Sequence, residues 1–294
     1  MSLLTPQSHP LRSLTLLFTA WKTLLLAIAV GASISPAYDT STDLLFARLS
    51  NSSRDTPLLA RQLTRWDALY FIHAAQHGKV YEQEYAFSTS LSSLLGGLSS
   101  FFPGHDGASA ALAGVFIAHA SHLVSVLALY GLTRLVFPAK RELAFVAAVL
   151  HVVSPAGVFL SSPYAESPFS ALSFVGSYLF ALGSASSCKA RRGLFTLAAG
   201  GAFGLATWFR SNGLASGLLF AVATLQALAS LVQTPSPSSV LDVISPILGG
   251  TLVAAGSVVP QYLAWQRFCL SSDPRSWCSN TIPSIYTFVQ ERYW

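Results

Sequence analysis

The chain has 294 residues, 52% of them hydrophobic and only 10% charged, with a formal charge of +5 and a mean hydropathy of +0.52. Soluble domains carry about 25% charged residues, so a soluble core is excluded, and the long apolar runs exclude an outer-membrane barrel built from short alternating segments. The basic residues fall in small clusters between apolar runs rather than on one continuous face, which excludes a nucleic-acid partner.

The pattern predicts an all-α, polytopic transmembrane protein, a single multi-spanning membrane domain over residues 1–294 with about seven membrane helices. The first apolar run covers Leu14 to Ile34. It reads either as a cleaved leader, with small residues near Ala27 to Ala32 to suit a peptidase, or as a retained span; Trp21 and Lys22 inside the run favour the span. A long polar stretch follows, a loop over about residues 36–107, holding Asp39, Asp43, Asp55, Asp67, Glu82, Glu84 and Asp106 and a glycosylation sequon at Asn51. Six further runs are expected at Ala108–Tyr130, Leu143–Leu160, Pro168–Leu182, Leu194–Phe209, Gly213–Val232 and Val243–Trp265. Only Arg210-Ser211-Asn212 separates the fifth and sixth of the seven runs, which predicts a re-entrant or tightly turned pair; Gln233–Ser239, with Pro235 and Pro237, reads as a linker.

Orientation follows from the basic clusters. Arg12, then Arg134, Lys140 and Arg141, then Lys189, Arg191 and Arg192 fall on one side if each run crosses once, and that side is cytoplasmic. The long acidic loop, Ser161–Ser167, the Arg210 turn and the C-terminal segment from about residue 266 to 294 then face the lumen. Cys188 is cytoplasmic and a free thiol, whereas Cys269 and Cys278 share the last lumenal segment, where they either pair or stay free; pairing is the expectation.

Three polar groups stand at the lumenal boundary. In Arg65-Trp66-Asp67-Ala68 a carboxylate lies beside an aromatic ring, the parts needed to deprotonate a sugar hydroxyl and pack against a sugar face. The residues from Trp66 to His73 have helical amphipathicity that puts Asp67 on one face with Tyr70 and Phe71. In Ser162-Pro163-Tyr164-Ala165-Glu166-Ser167-Pro168 the prolines stop the helices at a short turn carrying Tyr164 and Glu166. Arg210-Ser211-Asn212-Gly213 ends an apolar run with an arginine, which must snorkel or meet an anion, and Gly213 permits a sharp turn. Each has a plainer reading: Trp66 as an interfacial belt residue, Asp67 as a helix cap, Glu166 and Arg210 as a boundary pair.

No metal is expected: His73 and His77 have a spacing that permits co-ligation on a helix, but no carboxylate stands at a fixed distance from them. His119, His122 and His151 lie inside apolar runs, as interhelical hydrogen bonders or a proton relay. Gly200-Gly201 and Gly249-Gly250 read as helix-packing sites, not phosphate loops.

Four blocks together resemble the GPI mannosyltransferase 2 family: Arg65-Trp66-Asp67-Ala68 with Tyr81-Glu82-Gln83; Ser154-Pro155-Ala156-Gly157-Val158-Phe159-Leu160 with Pro163-Tyr164-Ala165-Glu166-Ser167; Arg210-Ser211-Asn212-Gly213; and Ile282-Pro283-Ser284-Ile285-Tyr286 running to Gln290 and Tyr293-Trp294. The set of residues looks fungal. The resemblance implies a glycosyltransferase of GT-C type in the endoplasmic reticulum membrane. It would use dolichyl phosphate mannose as donor substrate, need no cofactor, and add the second, α-1,6-linked mannose to the GPI precursor glycolipid. A small accessory membrane subunit is an implied partner. The family's first-loop acid corresponds to Asp67, and Arg65, Trp66, Tyr164, Glu166, Arg210 and Asn212 fall in matching blocks as substrate-binding candidates. Relatives continue beyond the point where this chain stops, at Trp294, so a truncated form is expected. Three other functions stay open: a related transferase with a different acceptor, a non-catalytic scaffold, and a transporter. The transporter lacks the midplane carboxylates and repeats that such proteins use.

Overall fold

A computed structural model describes residues 7–49, 56–87, 89–102 and 106–293. The described residues are helical, with no strand among them. In hydrocarbon every backbone N–H and C=O must be satisfied within its own segment, and helices do this for runs this apolar. The elements are α1 (Pro10–Gly31), α2 (Ser41–Leu49), α3 (Leu58–Leu63), α4 (Ala68–His77), α5 (Glu82–Ala86), α6 (Thr89–Ser99), α7 (Gly107–Val136), α8 (Arg141–Val152), α9 (Glu166–Ala185), α10 (Lys189–Phe209), α11 (Gly217–Gln233), α12 (Pro237–Cys269) and α13 (Ile285–Tyr293).

Among the described residues, five helical segments are long and apolar enough to cross a membrane: Pro10–Ile34, Gly107–Val136, Glu166–Ala185, Ser211–Gln233 and Ser239–Cys269. This differs from the seven spans expected at two places. The run at 143–160 does not form one long helix. Its helix α8 has 12 residues, about 18 Å against a hydrocarbon layer of about 30 Å, and Pro155 and the short 3-10 turn Phe159–Ser161 occupy the rest. The run at 194–209 lies in α10, whose first turn carries Lys189, Arg191 and Arg192 and lowers its apolar character. The Arg210 region is a tight turn, a 3-10 segment over Ser211–Ser216.

The chain forms two compact units. The first comprises residues 1–21, 121–155 and 167–257; the second comprises residues 22–120, 156–166 and 258–294. The second thus gathers the long polar loop, the Tyr164 turn and the C-terminal segment.

In the first unit, Ala144, Ala148 and Val152, spaced one turn apart on α8, pack against Leu14 and Phe18 of α1 and Val126 and Tyr130 of α7. A polar group ties α7, α8 and α9: Ser125 Oγ lies 2.8 Å from His151 Nε2 and 2.6 Å from Ser170 Oγ, and His122 Nε2 donates to the His151 carbonyl at 3.2 Å. His122 and His151 thus hydrogen-bond between helices, whereas His119, in the part of α7 that belongs to the second unit, donates from Nδ1 to Val115 O in its own helix. Elsewhere α10 and α12 pack backbone to backbone. A Cβ on Gly200 would meet the Gly249 Cα at 2.5 Å, and one on Gly204 would meet the Leu252 carbonyl oxygen at 2.5 Å. Phe203, Phe220 and Val253 fill the adjoining core.

In the second unit, α4 ends at Gly78, whose φ of +71° suits a residue without a side chain. Trp277, Ile285, Val289 and Ala264 form a buried cluster with Tyr85 and Phe268 around it.

Candidate active site

The Arg65–Ala68 stretch is a tight turn, closed by the Ala68 N–H donating to the Arg65 carbonyl at 3.0 Å. Trp66 has φ +48° and is the only residue other than glycine at positive φ among the described residues. A left-handed conformation costs a bulky residue about 1–2 kcal/mol, and such strain persists where the surroundings impose it, often at functional sites. Here it places the indole outward, 59% exposed, immediately before Asp67. Asp67 occupies the position ahead of α4, and its carbonyl accepts from Tyr70 N–H at 3.1 Å. Its backbone is already helical (φ −60°, ψ −25°) and its side chain makes no capping hydrogen bond. The plain helix-cap reading therefore does not account for the carboxylate.

Asp67 faces a cavity of about 530 Å³ lined by three acids, Asp39, Asp67 and Glu166, by four rings, Trp66, Tyr70, Phe159 and Tyr164, and by Ser41 and Leu69. Sites for small molecules commonly span about 300–1,000 Å³. Three of the rings form a wall: the Trp66 and Phe159 centroids lie 5.7 Å apart with planes 30° apart, and those of Phe159 and Tyr164 lie 5.4 Å apart with planes 31° apart. Tyr164 is buried, and its hydroxyl donates to the Arg65 carbonyl at 2.7 Å, using the second lone pair of the oxygen that closes the Trp66 turn. Burial first, then the charges of Asp67 and Glu166, push the Tyr164 phenol above its ordinary pKa, so it stays a protonated donor. Glu166 opens α9, where the helix dipole favours a negative charge. Asp39 caps a local turn, accepting from Ser41 N–H at 2.9 Å.

The structure therefore brings together Trp66, Asp67, Tyr164 and Glu166, with Arg65 contributing its carbonyl. Tyr70 lines the cavity with Asp67 as the helical face predicts, but Phe71 does not: it is 5% exposed and turned inward, against Phe87. Arg210 and Asn212 belong to the first unit. Arg210 is a half-buried, extended residue ending α10, and Asn212 is exposed in the 3-10 turn. Gly213 lies within a sharp turn, as expected, its N–H donating to the Arg210 carbonyl at 2.9 Å; it also serves close approach, since a Cβ there would lie 2.8 Å from the Thr207 Cα. Asn51 lies outside the described residues. Sequence reasoning missed Asp39 and Phe159 as cavity residues. Asp39 is one of several acids in a polar loop, and nothing in its neighbours singles it out.

Behind α4 lies a second polar network. Glu84, 1% exposed, pairs with His73 Nδ1 and accepts from the N–H groups of Val80 and Tyr81 at 2.7 and 2.9 Å. His73 is thus engaged by Glu84, and among the described residues no group of three His, Cys, Asp or Glu is placed to hold a metal ion. Lys79 donates to the carbonyls of Glu84 and Phe87; burial draws its ammonium down to about 7, with Glu84 opposing. On the far side of α5, Glu82 Oε1 accepts from Trp277 Nε1 at 3.0 Å. Trp277 stands in a loop closed by a disulfide between Cys269 and Cys278. The C-terminal segment thus braces the helix that follows α4. Cys269→Ser should lower the stability of that docked segment by about 2–3 kcal/mol, from the loop entropy released on opening so short a loop. The check is limited proteolysis within residues 270–293; unchanged cleavage would show that the Trp277 anchor alone holds the segment.

A family model described as mannosyltransferase (PIG-V) matches residues 10–294. Among curated proteins, the chain is 50% identical to GPI mannosyltransferase 2 of Gibberella zeae, over all of this chain and 69% of that protein. It is 42% identical to the protein of the same name from Chaetomium globosum, over 98% of this chain and 69% of the relative. For the Aspergillus fumigatus protein of that name the identity is 41%, over 97% of this chain and 62% of the relative. No solved structure matches. A helical, multi-pass membrane architecture, an acid set in an aromatic-walled cavity and a family match over nearly the whole length agree: the chain belongs to the mannosyltransferase (PIG-V) family, that of the fungal GPI mannosyltransferase 2 proteins, and is a glycosyltransferase.

Proposed function

We propose that this chain transfers the second mannose, in α-1,6 linkage, from dolichyl phosphate mannose to the GPI precursor glycolipid on the lumenal face of the endoplasmic reticulum membrane. The observation that carries this reading is the cavity in which the Asp67 carboxylate stands beside a wall of three rings. A sugar presents a polar edge of hydroxyls and an apolar face of C–H groups, and this surface offers a partner for each.

The proposed reaction is one inverting displacement. Asp67 takes the proton of the acceptor 6-hydroxyl as its oxygen attacks the anomeric carbon. The bond from that carbon to the phosphate oxygen breaks, and dolichyl phosphate departs with the electron pair. The β-linked mannose of the donor becomes α-linked in the product. A phosphate leaving group requires little protonation, so one carboxylate suffices, unlike the acid–base pair of a glycoside hydrolase. Trp66 and Tyr164 pack against sugar faces, and Glu166 orients a hydroxyl. Arg210, with Arg65 second, is the proposed cation for the phosphate, because a fixed positive charge stabilises the charge that develops there. Asn212 is the proposed amide partner in the Arg210 block.

The test is reconstitution of the purified chain in liposomes with dolichyl phosphate mannose and a mannosyl-glucosaminyl phosphatidylinositol acceptor. The expected product carries one more hexose, removable by an α-1,6-specific mannosidase. Transfer to a different acceptor only, or no transfer by folded chain, would overturn the reading; transfer that appears only when a membrane extract is added would point to an accessory subunit.

A further inference from the structure

A membrane-embedded cation bears on the shape of this cavity. Lys22 lies inside the span Pro10–Ile34 and is 3% exposed. Placing a lysine at the centre of a membrane helix costs about 2.5–3.5 kcal/mol on insertion scales, so a chain that keeps one there has an interaction to gain. Lys22 Nζ donates to the Leu160 carbonyl and to Ser161 Oγ, both at 2.8 Å. Ser161 Oγ in turn donates to the Gly157 carbonyl at 3.3 Å. These acceptors belong to the 3-10 turn Phe159–Ser161 and the residues just before it. Irregular backbone in an apolar setting lacks the partners that a continuous helix supplies, and the ammonium provides them from 138 residues away in sequence.

The held turn is also part of the cavity wall. Phe159, the middle ring of the wall, is its first residue, and Tyr164 follows shortly after. We propose that Lys22 is a positioning residue for the transfer site: by clamping the Phe159–Ser161 turn it sets Phe159 and Tyr164 against Trp66 and the Arg65 carbonyl, and so fixes the wall beside Asp67. The inference rests on the reading of this cavity as the transfer site. The sequence hint was the charge within an apolar run; its partner was not legible, because nothing local to Leu160 or Ser161 asks for a lysine.

The test uses the full chain in a Cys188→Ser background and two readouts. The first needs no catalysis: cysteines placed by Trp66→Cys and Phe159→Cys are bridged with a short bifunctional thiol reagent. Bridging should be efficient with Lys22 present, fall with Lys22→Met, and largely return with Lys22→Arg, which keeps donors for both acceptors. The second is kinetic, in the reconstituted system without the cysteine pair. Lys22→Met should lower kcat about tenfold to a hundredfold, the scale of an ångström-level misplacement, with the acceptor KM and the yield of folded chain little changed. Ser161→Ala, which removes one of the two bonds, should shift both readouts the same way by less, and serves if Lys22→Met fails to fold. Unchanged bridging and unchanged kcat in folded Lys22→Met or Ser161→Ala overturns the proposal. A loss of bridging in a chain whose parent transfers no mannose would support the clamp while overturning the function proposed for the cavity.

Discussion

Asp67→Asn is expected to lower mannosyl transfer by about a hundredfold to ten-thousandfold, the contribution of a positioned general base, while the chain stays folded. The substitution keeps the shape and hydrogen-bonding reach of the side chain and removes its basicity. Its structural cost should be small because the carboxylate makes no capping hydrogen bond to α4, the role whose loss usually costs about 1 kcal/mol. Two measurements are needed. Expression in fungal cells lacking their own enzyme reads out anchor synthesis, where full rescue by Asp67→Asn would end the base assignment. Transfer kinetics on the purified variant then separate a fall in kcat from a fall in substrate binding. The Tyr164 phenol, held protonated by burial and by the neighbouring acids, cannot replace the lost base, so no compensation is expected from the ring wall.

Gly204→Leu is expected to leave little folded protein. A Cβ at that position would lie 2.5 Å from the Leu252 carbonyl oxygen and 3.0 Å from its carbon. Both atoms are backbone, so α12 cannot yield as a side-chain tip would. Between helices in lipid there is no hydrophobic force to restore the contact, only packing and hydrogen bonds. Overfilling a packed interior costs about 1–3 kcal/mol and more where backbone must move. Gly201→Leu is the control: a Cβ there meets nothing within 4 Å, and it should purify like the parent. Monodisperse yield in detergent and thermal unfolding check both. Equal behaviour of the two variants would mean that α10 and α12 tolerate separation.

These two residues show different kinds of legibility. Gly200 and Gly249 read correctly as packing positions because a glycine inside an apolar run has few other uses, but which glycines touch depends on the rotation of each helix. Gly201, read as a packing position with Gly200, lies in open space instead, whereas Gly204, not singled out in the sequence, stands against backbone. Asp67 stood out because few acids survive in so apolar a chain and this one adjoins a tryptophan. Asp39 has the same chemistry and lies in the same cavity, yet long-range chain folding alone brings it there. The face shared by Asp67, Tyr70 and Phe71 was half right: both rings contact Phe87, but Phe71 is buried while Tyr70 stays exposed and lines the cavity.

The sequence by itself determined the solvent in which this chain folds, the helical class, most of the membrane runs and the block carrying the acid, since these depend on composition and local periodicity. The tertiary structure decided that the chain divides into two compact units, that Trp66 takes a left-handed backbone, and that Lys22 reaches the Phe159–Ser161 turn. Each of these is set by residues distant along the chain: a buried ammonium reveals that a local rule is under strain, but only the fold shows which group relieves it.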